Sequence, residues 1–408
     1  MTGQPEATYN SVELFAGGGG MALGLRLAGY GHHALVELNK HAVKILRHNA
    51  ELHPSLWPEE NVIADDVVTW VTRLPGGGSV DLVAGGPPCQ PFSLSGVHAG
   101  VNDARNMFPA ALEAIRTLTP RLAIFENVPG LTRPSFAPYF DYVKAQLAHP
   151  SVRPRNGEMW WEHAVRVAKS RAKGHRYHVY EECVDAADLG VPQCRQRVFL
   201  IAVREDMLRA DGRTGLTRTH DRDALLYDQW VDSAYWTEHD LPQPPLPDKL
   251  RARVEQLKRC GRPQAERWVT LRDALRHVPE PIDGQDHPTL PDHAGIPGAR
   301  AYKKHTGSPY DWPSKTIKAG VHGVCGGEGM IRYPDGRLRY LTIREAALVQ
   351  GFPDDYEFPG VRSRVMGVIG NAVAVAVAER IGRDLAETFL RPVASSPARQ
   401  PNHQQLRV

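Results

Sequence analysis

Long apolar runs, paired cysteines and a strong charge of either sign are all missing from this 408-residue chain, and each absence narrows what it can be. No stretch approaches the ~20 apolar residues of a membrane-spanning helix. The first ten residues, MTGQPEATYN, hold no basic stretch followed by an apolar core, the pattern of a secretory leader. The expected location is therefore the cytoplasm, with no membrane partner. Cysteine is scarce: Cys89, Cys183, Cys194, Cys260 and Cys325 are five in number, far apart and without a C-x-x-C pair. That excludes a disulfide framework and the common zinc spacings. The pairs His32–His33 and His175–His178 lack a nearby cysteine or acid, so they read as surface histidines and no metal is expected. A net charge of +3 does not by itself call for nucleic acid. The basic residues are unevenly placed, however. Ser151–Arg176 and Lys249–Trp268 are rich in Lys and Arg with Trp among them. Either could be a solvated helix face; together they allow a phosphate-contacting surface.

What the chain does have is alternation. Strands are predicted at Ser11–Phe15, Ala34–Glu37, Val62–Ala64, Asp81–Ala84, Leu122–Glu126 and Val198–Val203. Helices are predicted between them at about Gly20–Ala28, Lys40–Ala50 and Pro109–Leu118. Such alternation implies an α/β fold with a parallel sheet covered on both faces. After Arg204 the sequence turns rich in Pro, Asp, Arg and Gly, which reads as a loop-rich second domain. In LTIREAALVQGF, Thr342 and Glu345 form a capping box that starts a helix. IGNAVAVAVAERIGRDLAETFL reads as one long helix with Asn371 as its cap. The boundaries expected are 1–203 for the first domain with an insert at about 151–176, 204–340 for the second, 341–392 for helices returning to the first, and 393–408 for a disordered tail.

The chemistry-bearing residues fall at predicted strand ends. VELFAGGGGMALG is a strand, a glycine turn and a helix start. There the backbone can approach a ligand closely, and Glu37 follows at the distance suited to ribose hydroxyls. The acids Asp65 and Asp66 end the third strand, where a ligand crevice or a helix N-cap would both suit them. Pro87 and Pro88 restrict the backbone before Cys89 in LVAGGPPCQPFS, which suits a rigidly held nucleophile better than a buried filler. Glu126 and Asn127 end the next strand and would flank Cys89, giving an acid beside a thiol. Arg195 and Arg197, two apart at a strand start, face one side and could hold an anion or a carbonyl oxygen.

In this order FAGGGG, GGPPCQPFS, ENV, PQCRQRVFLI, RYLTIREAALVQGFPD and IGNAVA make the chain resemble the DNA cytosine-C5 methyltransferase family. The likeness runs from Ser11 to about Leu390, apart from the insert and the variable stretch from about Arg204 to Pro313. It implies a Rossmann-like S-adenosylmethionine-dependent methyltransferase domain with a smaller, loop-rich target recognition domain. It implies methyl transfer from S-adenosylmethionine to C5 of a cytosine flipped out of a specific double-stranded DNA sequence, through a covalent bond from Cys89 to C6. By the same resemblance, Glu126 serves N3 of the base, and Arg197 with Arg195 holds O2 and a nearby phosphate. The cofactor lies on Phe15, Ala16, Gly17 and Gly19, with its ribose on Glu37, its adenine amino group on Asp66, its methionine end near Pro88, and Asn371 completing the pocket. The segment Ser93–Asn106 resembles the family's closing loop.

A restriction–modification or epigenetic role follows, with a cognate restriction endonuclease as a possible partner and action as a monomer on DNA. The chain departs from the family at GNAVAVAVA, which lacks a customary proline, at Leu38, where some relatives are aromatic, and in the length of the insert. Three alternatives stand beside this reading. A tRNA-methylating branch shares the P-P-C-Q core. A nucleotide-binding oxidoreductase has no use for the set Cys89, Glu126 and Arg197, and an inactive DNA-binding module would be expected to have lost one of them.

Overall fold

Apolar strands too short and too continuous in hydrophobicity to be amphipathic helices build the centre of the molecule. The computed structural model describes residues 6–74, 80–88, 106–171, 173–209, 216–303, 305–319 and 329–391. Five strands run parallel: β1 (Tyr9–Leu14), β2 (Tyr30–Glu37), β3 (Val62–Ala64), β4 (Leu82–Gly85) and β5 (Leu122–Asn127). β6 (Tyr177–Asp185) and β8 (Gln196–Arg204) complete a seven-stranded sheet of order β3-β2-β1-β4-β5-β8-β6, and the two-residue β7 (Gln193–Cys194) lies outside it, paired with Ser314–Lys315. The order reverses between β1 and β4. In an open α/β sheet that reversal opens a crevice above the carboxyl ends of the strands.

One edge departs from the all-parallel expectation. β8 runs antiparallel to both β5 and β6. The reason is connection length: the chain between Asp185 and Gln196 holds only a short 3-10 turn, Ala186–Leu189, and a parallel return needs a dozen or more residues.

Helices cover both faces. α1 (Gly20–Leu27) and the late helix Val375–Leu385 pack over Ala84, Ile124 and Ile201. On the other face α3 (Val67–Thr72), α4 (Phe108–Leu118) and α5 (Ala137–Ala148) pack over Val83, Phe125 and Leu200. Between α1 and α3, α2 (Lys40–Leu52) joins the helices Ile343–Val349 and Arg362–Asn371 in a third apolar cluster. The insert forms α6 (Trp160–Ala168), held to α5 by the edge-to-face ring of Trp160 on Tyr139 and by a 2.7 Å bond between Tyr142 Oη and His163 Nδ1.

Several local expectations are corrected. His32 is not a surface residue: it lies buried in β2, bonded to Ser11 Oγ at 2.9 Å and to the Ala22 carbonyl at 2.8 Å. Burial drops its pKa to about 4, so the ring is neutral. The stretch after Arg204 is more regular than its composition suggests, with helices Arg222–Trp230 and Asp248–Cys260 and a three-stranded sheet of Ser308–Pro309, Met330–Arg332 and Leu338–Tyr340. The helix Asp248–Cys260 buries only Val254 and Leu257, too few positions for an apolar period to stand out.

Asn371 caps nothing. It ends the helix Arg362–Asn371, and the chain is extended at Ala372 and Ala374 before the next helix begins. The carbonyls of Ile369, Gly370 and Ala372 accept bonds from Gln350 and Arg195, which holds the break open. Arg362–Leu390 is, among the described residues, the segment long and apolar enough to cross a membrane. Most of its apolar stretch is buried, and it belongs to the core against α1.

Candidate active site

The crevice above β1 and β4 is a cavity of about 580 Å³, within the range of small-molecule pockets. Its floor is the turn after β1. Phe15 there adopts a left-handed backbone (φ 58°), an unusual state for a bulky residue that the surrounding structure must enforce. Ala16 and Gly17 follow it along the cavity wall. Gly19, expected against the cofactor, is not among the residues that line the cavity: also left-handed at φ 85°, it caps the start of α1. A Cβ there would come within 2.6 Å of Tyr356 Oη, so only glycine allows the turn to close on its packing partner.

The side walls are acidic. Glu37, at the end of β2, accepts bonds from the amides of Gly17 and Asn39, both at 2.7 Å, which fixes its carboxylate at the rim. Asp66 lines the cavity beyond β3 and uses Oδ1 to cap α3 at the amide of Val68. Its neighbour Asp65 turns to Arg73 instead. Leu38 is 70% exposed on the same rim.

A third acid was not singled out from the sequence. Glu13 of β1 is 1% exposed and lines the cavity, and its Oε2 has no hydrogen-bond partner. Burial, and then the charge of Glu37, push its pKa well above the ordinary carboxylate range, against a smaller lowering by the backbone at Ala22. The local signal was slight: an acid at the next-to-last position of β1, in YNSVEL, four residues before Gly17.

The far wall carries the reactive constellation. Gly86, Pro87 and Pro88 line the cavity after β4, and Asn127 donates its side-chain amide to the Pro87 carbonyl at 3.2 Å. Cys89, the next residue in the chain, lies outside the described residues, as does most of the expected closing loop. Glu126, 8% exposed at the end of β5, forms an ion pair with Arg197: Nε stands 2.6 Å from Oε1, without the alignment of a good hydrogen bond. Arg197 NH1 donates to the Gln196 carbonyl at 2.7 Å.

Arg195 lines the same cavity, but the expectation that both arginines stand free for an anion is corrected. Its guanidinium is 2% exposed and donates to three backbone carbonyls, Ile317, Gly370 and Ala372. Burial and the nearby Arg197 lower its pKa, partly offset by Glu126. Asn371 stands on the rim between those carbonyls.

Sequence reasoning therefore placed Phe15, Ala16, Gly17, Glu37, Asp66, Pro88, Glu126, Arg195, Arg197 and Asn371 in one region, and the fold brings them around one cavity. Besides Glu13 it missed Met107 and Val368, apolar lining residues with no sequence signature. Elsewhere Glu238, His239 and Asp273 cluster within 4.8 Å, and Arg267 already bridges the two carboxylates.

Chemically, the acids Glu13, Glu37 and Asp66 along one crevice favour a cationic ligand and disfavour the pyrophosphate of a dinucleotide. The Glu126–Arg197 pair offers a carboxyl group and a guanidinium to the polar edge of a planar ring.

Comparison with known proteins agrees with this geometry. The family model described as C-5 cytosine-specific DNA methylase matches residues 9–149 and 158–387. The Type II methyltransferase M.PspPI of Psychrobacter is 31% identical over 94% of this chain and 80% of its own. M.NgoMIV of Neisseria gonorrhoeae is 29% identical over 93% and 98% of the two chains. Among solved structures, a putative DNA modification methyltransferase encoded in an E. coli prophage covers 93% of this chain, and 99% of its own length, with a TM-score of 0.53 at 19% identity. The S. pombe Dnmt2 methyltransferase has the same coverages, with a TM-score of 0.54 at 17% identity, and like the former it shows the fold.

Proposed function

Since the chain belongs to the C-5 cytosine-specific DNA methylase family and transfers a methyl group from S-adenosylmethionine to C5 of cytosine in DNA, we propose that the residues around this cavity carry out that reaction as follows. The observation that carries the reading is the Glu126–Arg197 pair, which stands in the same cavity as Pro88, the residue before Cys89. S-adenosylmethionine, when bound, supplies an electrophilic methyl group on a sulfonium. The cavity fits it: the unpartnered, buried Oε2 of Glu13 is suited to its cationic amino-acid end, and Glu37 and Asp66 to its ribose and adenine amino group.

Cytosine C5 is too weak a nucleophile to take that methyl group unaided. The thiolate of Cys89 bonds to C6, the C5=C6 pair shifts to C4=C5, the C4=N3 pair moves onto N3, and N3 takes a proton held by Glu126. This makes C5 an enamine carbon. Arg197 orients Glu126 and neutralises charge beside the base's O2 edge, an interaction that strengthens as charge develops. As C5 takes the methyl group, C4=N3 re-forms and N3 returns its proton to Glu126; a base then removes the C5 proton, C5=C6 re-forms and the Cys89 thiolate leaves. Asn127 keeps the turn before Cys89 in place through Pro87. C6 is inaccessible in a stacked duplex, so the base is flipped into the cavity.

The region from about 204 to 340 is the target recognition domain. There Arg337 stacks on Tyr333 and pairs with Glu280, and Arg272 stacks on Tyr310 and pairs with Asp311, so both side chains are held in place within this region. The naming of relatives as Type II methyltransferases supports a restriction–modification role in the cytoplasm. A cognate endonuclease and monomeric action on the double strand belong to that reading.

The test is bisulfite sequencing of a methylation-free bacterial host expressing the protein. Protection of cytosines in one short motif is the expected result. Uniform conversion, with the protein folded and binding S-adenosylhomocysteine, would contradict it.

A further inference from the structure

The segment Pro192–Arg197 touches three parts of the chain that are distant in sequence. β7 pairs in parallel with Ser314–Lys315, where the chain returns from the second region. Gln193 accepts from the amide of Ile317 at 2.9 Å and donates to Gln350 Oε1 at 3.0 Å, and Gln350 in turn donates to the Ile369 carbonyl at 2.7 Å. Arg195 closes the circuit. Its NH1 donates to the Ile317 carbonyl at 3.0 Å, and its NH2 to the carbonyls of Gly370 at 2.9 Å and Ala372 at 3.0 Å. Gly370 is packed so tightly against this return that a Cβ would lie 2.6 Å from the backbone at Lys318 and Ala319.

Asn371, between the two carbonyls that NH2 holds, stands in the cavity wall. The break in the late helices at Ala372–Ala374 leaves these carbonyls without helical partners, and a buried carbonyl must find a donor elsewhere. Arg195 is that donor for two of them. Its planar fork can reach several carbonyls at once from one fixed position, which a lysine cannot do.

We propose that Arg195 is a positioning residue: it locks the cofactor wall Gly370–Asn371–Ala372 against Ile317 and thereby sets cofactor affinity, without touching the cytosine. The proposal rests on the reading of the cavity as the cofactor site. It separates the two arginines of the Q-x-R-x-R run by task, Arg197 serving Glu126 and Arg195 serving the wall opposite.

The test compares Arg195→Lys and Arg195→Met with Arg116→Met in the full-length protein. Arg116 is a largely shielded arginine near the C-terminal end of α4, bonded to the Pro150 carbonyl and Gln146 and ion-paired with Glu113, and it does not line the cavity. S-adenosylhomocysteine affinity is measured by calorimetry, thermal stability alongside it, and methyl transfer to DNA from a methylation-free host. Arg195→Lys is expected to raise the KM for S-adenosylmethionine and the Kd for S-adenosylhomocysteine about tenfold while retaining most of kcat at saturating cofactor. Arg116→Met, at equal or greater loss of stability, leaves both constants near wild type.

Three results would overturn the proposal: unchanged cofactor constants in Arg195→Lys, an equal loss in Arg116→Met at matched stability, or a fall in kcat with KM unchanged, which would mark direct contact with the base. Arg195→Met repeats the comparison without charge. If it fails to fold, Arg195→Lys alone decides. Failure of the wild-type protein to bind S-adenosylhomocysteine would instead overturn the cofactor reading itself.

Discussion

Arg197 Nε stands 2.6 Å from Glu126 Oε1, with both side chains largely shielded from solvent and both lining the cavity. β5 and β8 are antiparallel neighbours, and Glu126 faces Phe199 in their register, so Arg197 crosses from just beyond that pair. The arginine therefore fixes the carboxyl group at the cavity wall.

From this pair the first expectation follows. Glu126→Gln keeps shape but cannot manage the N3 proton, so kcat should fall by about 10²–10⁴. Affinity for S-adenosylhomocysteine should stay near wild type. Arg197→Met should also lower kcat with little change in cofactor affinity. Single-turnover methyl transfer and calorimetry read the two quantities separately. Retention of full kcat in Glu126→Gln would remove Glu126 from the chemistry.

Glu13 sets a pH dependence whose sign can be worked out. Its pKa is raised in the folded protein without ligand, mainly by burial, so the neutral acid persists above the ordinary carboxylate range. A cationic ligand favours the ionised form. Cofactor affinity should therefore rise as pH increases through the raised pKa and level off above it. The same shift acts on folding in the opposite sense: the unfolded chain loses this proton first, so stability from the buried neutral acid is present at low pH and lost as pH rises towards the folded pKa. Glu13→Gln should thus be at least as heat-stable as wild type at neutral pH, yet bind S-adenosylhomocysteine more weakly and with a flatter pH profile. Calorimetry across pH checks both; an unchanged pH profile in Glu13→Gln would rule this out.

The insert is a packing element in its own right. Residues 150–157 fall in the gap of the family match, and there the Val152 carbonyl meets His163 Nε2 at 3.0 Å while Trp160 packs edge-on to Tyr139. Tyr139 Oη accepts from Asn106 Nδ2 at 2.6 Å, beside Met107 of the cavity wall. Trp160→Ala should destabilise the protein by about 2–4 kcal/mol through lost aromatic packing. Its half-exposed neighbour, Trp161→Ala, should cost within about 0.5 kcal/mol. Urea denaturation distinguishes them, and equal effects would contradict the assignment of Trp160 to the packed face.

Much of the site could be read from the sequence because its signals are local. A glycine turn, an acid ending a strand and prolines before a cysteine declare themselves within a few residues. So does the capping box, in which Thr342 Oγ1 accepts from the Glu345 amide and Glu345 answers at the Thr342 amide. The remainder depends on partners distant in the chain. Arg195 looked like a free cation because its acceptors lie more than a hundred residues away, at Ile317 and Gly370. Asn371 looked like a cap because the bonds from Gln350 and Arg195 that break the helix are also long-range. Glu13 was concealed by its setting, since a strand pattern gives no sign of which buried polar atom lacks a partner. The direction of β8 was set by a loop too short for a crossover, a length that could have been counted.

The most direct measurement uses a long DNA duplex synthesised with 5-fluorocytosine in place of cytosine, incubated with the protein and S-adenosylmethionine and then run on a denaturing gel. Fluorine at C5 cannot leave as a proton does, so the expected result is a covalent protein–DNA band that Cys89→Ser abolishes while retaining S-adenosylhomocysteine binding. Absence of the band, in wild-type protein shown to methylate the same sequence with ordinary cytosine, or its persistence in Cys89→Ser, would contradict Cys89 as the nucleophile.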